Sequence, residues 1–453
     1  MAVREPAQGR SGPAGSRAVP STLRARRGGT KGVLAFVSPR FGREILGGAE
    51  FVLREMALGL LGRGWRVEVL TTCATNPYTW ANELPAGEKV EDGILVRRFE
   101  NLLASSGSKE HWVHGRIYGG ETPSLDDQVT WLNALFRTPG LFEALYRERE
   151  RFHAVIFAPY LFWTTTVCMP AVADRAIVMP CLHDEVYARL EVMRHVLALP
   201  ASVWFLSEPE HELAHSLGPV APHHRVIGAG MDVPARHDPA AFRAEHGIEG
   251  PFLLYLNRRE TDKGWPWLLE VFADAGTPVK LVSAGPGAAD VPPYLRHRVI
   301  DVGVLSNEQR DNALAAALAF VQPSLMESYS RTVMEAWLAR TPVLVRRGSK
   351  VLEWHCARSQ GGLAFSEGPE LAAIVDRLAA EPQRAAEMGE RGRAYVLGNY
   401  QWPQVLDRVE SDLVWLQAGA EAPTGQLPDP AQDGAARRSP DGSPGHAKER
   451  VLS

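Results

Sequence analysis

The sequence predicts an α/β protein of two Rossmann-like, doubly wound parallel-sheet domains, one after the other. Three observations predict it. Residues 32–37 (GVLAFV) read as a short buried strand, 49–63 as a helix and 66–72 (RVEVLTT) as the next strand, the unit that seeds a parallel sheet. After VIGAGMDVP (226–234) the alternation restarts with PFLLYLN (251–257), a polar loop, a helix from Trp265 and VKLVSAG (279–285). Finally, 453 residues exceed what one ordinary core organises, so two or three domains are expected.

Composition narrows the class. Hydrophobic content of 45% and charged content of 23% are those of a soluble globular chain, and a net charge of −4 gives no sign of a nucleic-acid partner. No apolar run approaches the roughly 20 residues of a membrane span. Cys73, Cys168, Cys181 and Cys356 are scattered, without a C-x-x-C pair, which points to a reducing cytoplasm and no disulfide framework. Residues 1–30 hold six arginines and one acid, Glu5, with no apolar stretch suited to secretion; a transit peptide fits that composition less well than a disordered tail does. Residues 419–453 are Pro, Gly, Asp and Arg-rich and are expected to be disordered too. High Arg, Ala and Pro usage suggests a GC-rich bacterial genome. The expected domains are 31–224, 225–400 and a terminal helix over 401–418.

In the first half, the loop 39–48 carries Gly47-Gly48 just before the helix, where backbone can approach a ligand or simply turn tightly. It is not G-x-G-x-x-G, so a dinucleotide fingerprint is absent. Residues 73–130 read as loop-rich with short strands and many aromatics, a segment suited to an acceptor-binding surface. A helix over 130–149 and strands over 154–159, 176–185 and 203–210 follow. Ligands gather at the carboxyl ends of parallel strands, which places His183, Asp184, Glu185 and Ser207 beside the glycine loop. Residues 208–217 read as a helix containing H-E-x-x-H (His211, Glu212, His215), a zinc-protease spacing. The third-ligand position of the longer motif is Ala221, with His223 and His224 out of register. A surface helix is the competing reading, and the favoured one.

In the second half, Arg258, Arg259, Lys263 and Gly264 occupy the loop after 251–257, and Gly285-Pro286-Gly287 the next one. A strand and turn over 299–306, a helix over 307–317 and a strand over 319–322 lead into the stretch the chain is built around. FVQPSLMESYSRTVMEAWLARTPVLV (320–345) is a strand end, a Ser-rich turn, a helix with Val333, Met334, Trp337 and Leu338 on one face, and a new strand. Ser328 or Ser330 suits the N-cap. Glu327 then lies in the loop and Glu335 on the second turn, flanking amides that point at any anion placed there. Two glutamates alone would more readily be a dipole cap and a solvated side chain, a weighting that their surroundings reverse. Residues 364–395 supply two further helices.

In order and spacing, these pieces resemble the retaining, nucleotide-sugar-dependent glycosyltransferases of family 4, which have the GT-B fold. The resemblance covers roughly residues 31–418. GGAE (47–50) resembles the family's amino-domain glycine loop. NRRETDKG (257–264) resembles its G-R-x-x-x-x-K-G element, with Asn257 where glycine is usual. ESYSRTVME (327–335) is similar to its E-x7-E motif. GGLAF (361–365) and YVLGNYQW (395–402) resemble its carboxyl-terminal landmarks.

The resemblance implies two domains facing each other across a cleft, with a C-terminal helix crossing back to the first. It implies transfer of a hexose from a nucleoside-diphosphate sugar to a glycan, lipid or small-molecule acceptor, with retention and without metal or other cofactor. By residue, it implies a catalytic set of His183, Arg258, Lys263 and Glu327, with His183 against the sugar and the two cations receiving the diphosphate. Donor binding would fall to Gly47, Gly48, Val304, Ser328, Tyr329, Ser330, Arg331 and Glu335, with Glu335 on the ribose. A cytoplasmic enzyme without a membrane span follows, and peripheral association with the inner membrane face stays open. The alternative is a GT-B protein that binds nucleotide sugar without turnover, against which all four of Arg258, Lys263, Glu327 and Glu335 are present. A zinc metalloprotease ranks third.

Overall fold

The computed structural model describes residues 31–45, 47–103, 108–234 and 236–418. The two tails expected to be disordered, 1–30 and 419–453, lie outside the described residues. Fourteen described strands form two sheets. The first contains β1 (Val33–Ser38), β2 (Arg66–Thr72), β3 (Gly87–Glu91), β4 (Ile94–Phe99), β5 (Ala154–Phe157), β6 (Ala176–Val178), β7 (Ser202–Phe205) and β8 (His224–Val226). Their order is β3-β4-β2-β1-β5-β6-β7-β8, parallel except for the β3–β4 hairpin. The second contains β9 (Phe252–Leu256), β10 (Lys280–Ala284), β11 (Val299–Gly303), β12 (Ala319–Gln322), β13 (Val343–Arg346) and β14 (Gly362–Phe365). Its order is β11-β10-β9-β12-β13-β14, all parallel.

The central strands are continuous apolar runs because helices cover both faces of each sheet. β1, β5, β7, β9 and β12 are buried at every position. One buried cluster runs from Leu34 and Met56 through Ala229 and Tyr400 to Phe320 and Trp337, so the two sheets share a core. The expected GT-B architecture is the observed one.

The terminal helix, Trp402–Ala418, recrosses to the first domain. Arg63 there meets Asp407 at 2.6 Å and Glu410 at 2.8 Å, and Trp65 Nε1 donates to Glu410 at 2.8 Å. Asp412, fully buried, accepts from Ser202 Oγ at 2.8 Å and Trp204 Nε1 at 2.7 Å, and faces His223 and Arg225. Among the described residues no helix is long and apolar enough to cross a membrane.

Several local expectations need correction. The helix expected over 130–149 is two helices, Leu125–Leu135 and Pro139–Glu148. Arg137 between them bonds Leu102 in both directions, and Pro139 lacks a donor but suits a helix start, so the pattern breaks there. The segment 73–130, read as loop-rich, also holds the helix Ser108–Tyr118. β6 ends at Val178, so His183 stands in a loop five residues beyond the strand. β8 carries the first sheet to Val226, past the boundary expected at 225. Ser330 does precede the helix Arg331–Leu338, but in a left-handed conformation (φ 68°) and without capping through its hydroxyl.

Candidate active site

In open parallel sheets the crevice lies where the strand order reverses. The second sheet reverses between β9 and β12, because β10 and β11 build outward on one side and β13 and β14 on the other. The loops leaving those two strands are 257–264 and 323–330, the two segments that carry the candidate charges. They touch at Gly264, whose φ of 73° is left-handed and whose missing side chain leaves room for the Pro323 carbonyl.

That closeness pairs Lys263 Nζ with Glu327 Oε1 at 2.8 Å, both largely withdrawn from solvent. Asn257, where the family resemblance expects glycine, ties the same loops together. Its Nδ2 donates to Gln322 Oε1 at 3.0 Å, and Gln322 Nε2 donates to Ser330 Oγ at 3.0 Å. The departure from glycine therefore supplies a brace, and the Ser330 hydroxyl is spent on it rather than on capping.

Glu335 sits on the second turn of the helix, gripped by Arg310 Nη2 at 2.7 Å and Arg331 Nη2 at 3.0 Å. The Arg331 guanidinium also lies 3.5 Å over the ring of Phe51, so it joins the domains. Arg258 is about half-exposed and pairs with Glu260 at 2.9 Å, while Tyr78 of the first domain donates to Glu260 at 3.0 Å. Arg259 is built into the second domain instead, held by Ser283 Oγ at 2.9 Å, the Gly287 carbonyl at 2.8 Å and Asp301.

From the first domain, His183 comes close enough to Lys263, Glu327 and Asp262 to feel their charges. Burial first, and then the Lys263 ammonium, lower its pKa to about 4, so the imidazole is neutral at pH 7. Ser207 Oγ donates to the Ser328 carbonyl at 2.8 Å across the interface. Gly47 and Gly48 stand at the start of the helix Gly48–Gly62, where a side chain at 48 would meet nothing within 4 Å. Asp184 pairs with Arg189 and Glu185 accepts from Tyr160 at 2.7 Å. Val304, 69% exposed, follows β11. A cleft of about 520 Å³ opens nearby, lined by Tyr118 from the first domain and Arg259, Glu260, Asp262 and Trp265 from the second.

Tyr329 is expected to serve through its backbone amide, and its side chain is turned into the interior. It is buried, donates to the Ala229 carbonyl at 2.8 Å and packs edge-on against His355 and Tyr400. Only its backbone is left to face a ligand. Sequence reasoning missed Arg310 and Phe51. The capping box Ser306–Gln309 that starts the helix under Arg310 was the available signal for the first.

The H-E-x-x-H helix holds a second correction. His224, judged out of register along the chain, is brought beside His211 and His215 by β8, and ligand nitrogens of the three lie within 4.8 Å of one another. His223 instead faces Asp412.

Comparison with known proteins gives the class. Residues 239–395 match the family "Glycosyl transferases group 1". The sucrose-phosphate synthase of Thermosynechococcus elongatus superposes with a TM-score of 0.66 at 18% identity, over 86% of this chain and 100% of that one. Anabaena Alr3699/HepE, solved in complex with UDP and glucose, superposes with a TM-score of 0.61 at 16% identity, over 84% and 99%. The chain has the GT-B fold, and the match to the group 1 glycosyltransferases falls in its second half. Among curated proteins, the trehalose synthase of Rubrobacter xylanophilus is 29% identical over 194 residues, 38% of this chain. That match spans 46% of the relative, about half its length.

Proposed function

We propose that the protein is a retaining, family-4 hexosyltransferase that moves a sugar from a nucleoside diphosphate to a glycan, lipid or small-molecule acceptor, in the cytoplasm and without metal. The observation that carries this reading is the Lys263–Glu327 pair at the β9/β12 switch, with neutral His183 facing it from the other domain. A departing diphosphate concentrates negative charge, which catalysis must receive. The Lys263 ammonium has three N–H groups and gives one to Glu327, so others remain for phosphate oxygens. The amides opening the helix Arg331–Leu338 add their partial positive charge. Glu335, held at both oxygens by arginines, keeps lone pairs for ribose hydroxyls.

A neutral His183 accepts or donates a hydrogen bond to a sugar hydroxyl without repelling the positive charge that develops at the anomeric carbon. With no amino-domain carboxylate assigned as base, the leaving phosphate would take the acceptor proton from the same face, which retains configuration. The acceptor enters through the cleft beside Tyr118, whose exposed ring offers a stacking surface for a sugar.

The test is a thermal-shift panel of UDP-, GDP- and ADP-sugars in EDTA, starting with UDP-glucose because the similar Anabaena fold was solved with UDP and glucose. A ligand that binds only the folded chain raises its melting temperature. One nucleotide class is expected to shift it, and Glu335→Ala to abolish the shift. No shift with any donor, in folded protein, would sink the proposal.

A further inference from the structure

The helix Glu208–Leu217 has a face that the donor site does not use. His211 and His215 stand one turn apart there, and β8 sets His224 against both. The ring centroids are 4.5 Å apart for His211–His215, 5.0 Å for His211–His224 and 5.1 Å for His215–His224. Phe205 closes one side, with its ring 5.2 Å from that of His211.

Two of the rings are already set up to ligate. His224 Nδ1 lies 2.9 Å from the Ala221 carbonyl, and a carbonyl only accepts, so Nδ1 carries the proton and Nε2 keeps its lone pair. Metal-binding histidines are oriented in this way by a backbone carbonyl. His211 Nε2 is buried without a hydrogen-bond partner, an unmet need that a cation would satisfy. His215 is exposed and gives an ion its way in.

We propose that His211, His215 and His224 bind one zinc ion, which fastens the Glu208–Leu217 helix to the edge strand β8. Three imidazoles with water in the fourth position make a tetrahedral nitrogen site that suits zinc. Nitrogens around such an ion lie about 3.3 Å apart for bonds of about 2.0–2.1 Å. The trio, now within 4.8 Å of one another, closes further by imidazole rotation.

The role is fastening rather than catalysis in the cleft. His224 pairs in register with Val203 at the beginning of β7, whereas Ser207, which touches the donor loop, follows the other end of that strand. The ion would hold in place the helix whose N-cap makes that interdomain bond. This inference does not rest on glycosyl transfer.

Untagged full-length protein, stripped with EDTA and dialysed, is titrated with Zn²⁺ by calorimetry and with Co²⁺ in the visible spectrum. One equivalent per chain, tetrahedral Co²⁺ bands and a higher melting temperature with Zn²⁺ are expected. His215→Ala, at an exposed position, and His224→Gln should each weaken binding at least about tenfold and lose the Co²⁺ bands, with the native circular dichroism retained. Absence of stoichiometric binding in the parent chain, or unchanged affinity in either folded variant, overturns the proposal.

Discussion

Lys263 and Glu327 meet from loops 64 residues apart, and the arriving diphosphate would compete with Glu327 for the ammonium. Lys263→Ala should therefore act on the chemical step, lowering kcat by about 10²–10³-fold with a small change in donor KM, as steady-state kinetics would read. Equal loss of kcat in Lys263→Arg would argue for the ammonium's compact shape; full activity in Lys263→Ala would remove it from the site.

Two histidines contribute to the acid limit of stability. Burial, with help from Lys263 for His183 and Arg358 for His355, lowers their folded pKa values to about 4 and about 3. Unfolded, both would titrate near 6.5. Below that pH the unfolded chain takes up protons that the folded chain refuses, so stability is full above about 6.5 and falls as pH drops toward the folded values. The slope is about 1.4 kcal/mol per pH unit for each histidine. Urea midpoints at pH 7 and 5 should differ accordingly, and by less in His355→Gln. The placement of Glu327 in a loop and of Glu335 on the second turn of the following helix was legible, because the breaker at Pro323 and the apolar periodicity after Ser330 are local patterns. Arg310 and Phe51 were not, because only packing brings them to Glu335 and Arg331.

Turns and caps decide how the elements present these groups. Gly264 and Gly48 look alike in sequence, each opening a helix, but they differ physically. At Gly264 a side chain would need a left-handed conformation and would strike the Pro323 carbonyl, forcing the two switch loops apart. Gly264→Ala should cost more than about 1 kcal/mol in chemical denaturation and weaken donor binding as well. Gly48→Ala meets open space and should leave the denaturation midpoint almost unchanged. If Gly48 faces the donor, that variant alone should lose donor affinity without losing stability, which calorimetry would separate.

Element boundaries were legible where a breaker stood alone, as at Pro323 and Pro342. They were missed where an apolar rhythm ran across a break, as at Thr138-Pro139. The three-residue β8 escaped notice because its pairing to β7, not its composition, makes it a strand.

The whole molecule is closed by the terminal helix, and Asp412 is its most deeply set anchor. Burial alone would raise this carboxyl, but hydrogen bonds from His223 and Trp204 outweigh it and hold the pKa below the ordinary aspartate range. Asp412→Ala would leave Arg225 and His223 facing a void, at a cost of about 3–5 kcal/mol. Thermal unfolding should then split into two steps as the helix releases the first domain, whereas a single unshifted transition would show the anchor to be idle.

At this scale the sequence alone determined a great deal. Strand-helix alternation, its restart after residue 234 and the loop charges announced two doubly wound sheets with charged loops at their strand ends. These are local properties, written in apolar periodicity and breakers that act within a few residues. The tertiary structure alone decided which distant groups share a space: Lys263 with Glu327, Arg331 with Phe51, Asn257 with Gln322, and His224 with a helix whose spacing had seemed to exclude it. Those pairings depend on strand order and on how two sheets meet. No local pattern encodes either, because they are settled by burying the cores of the two sheets and the cluster they share.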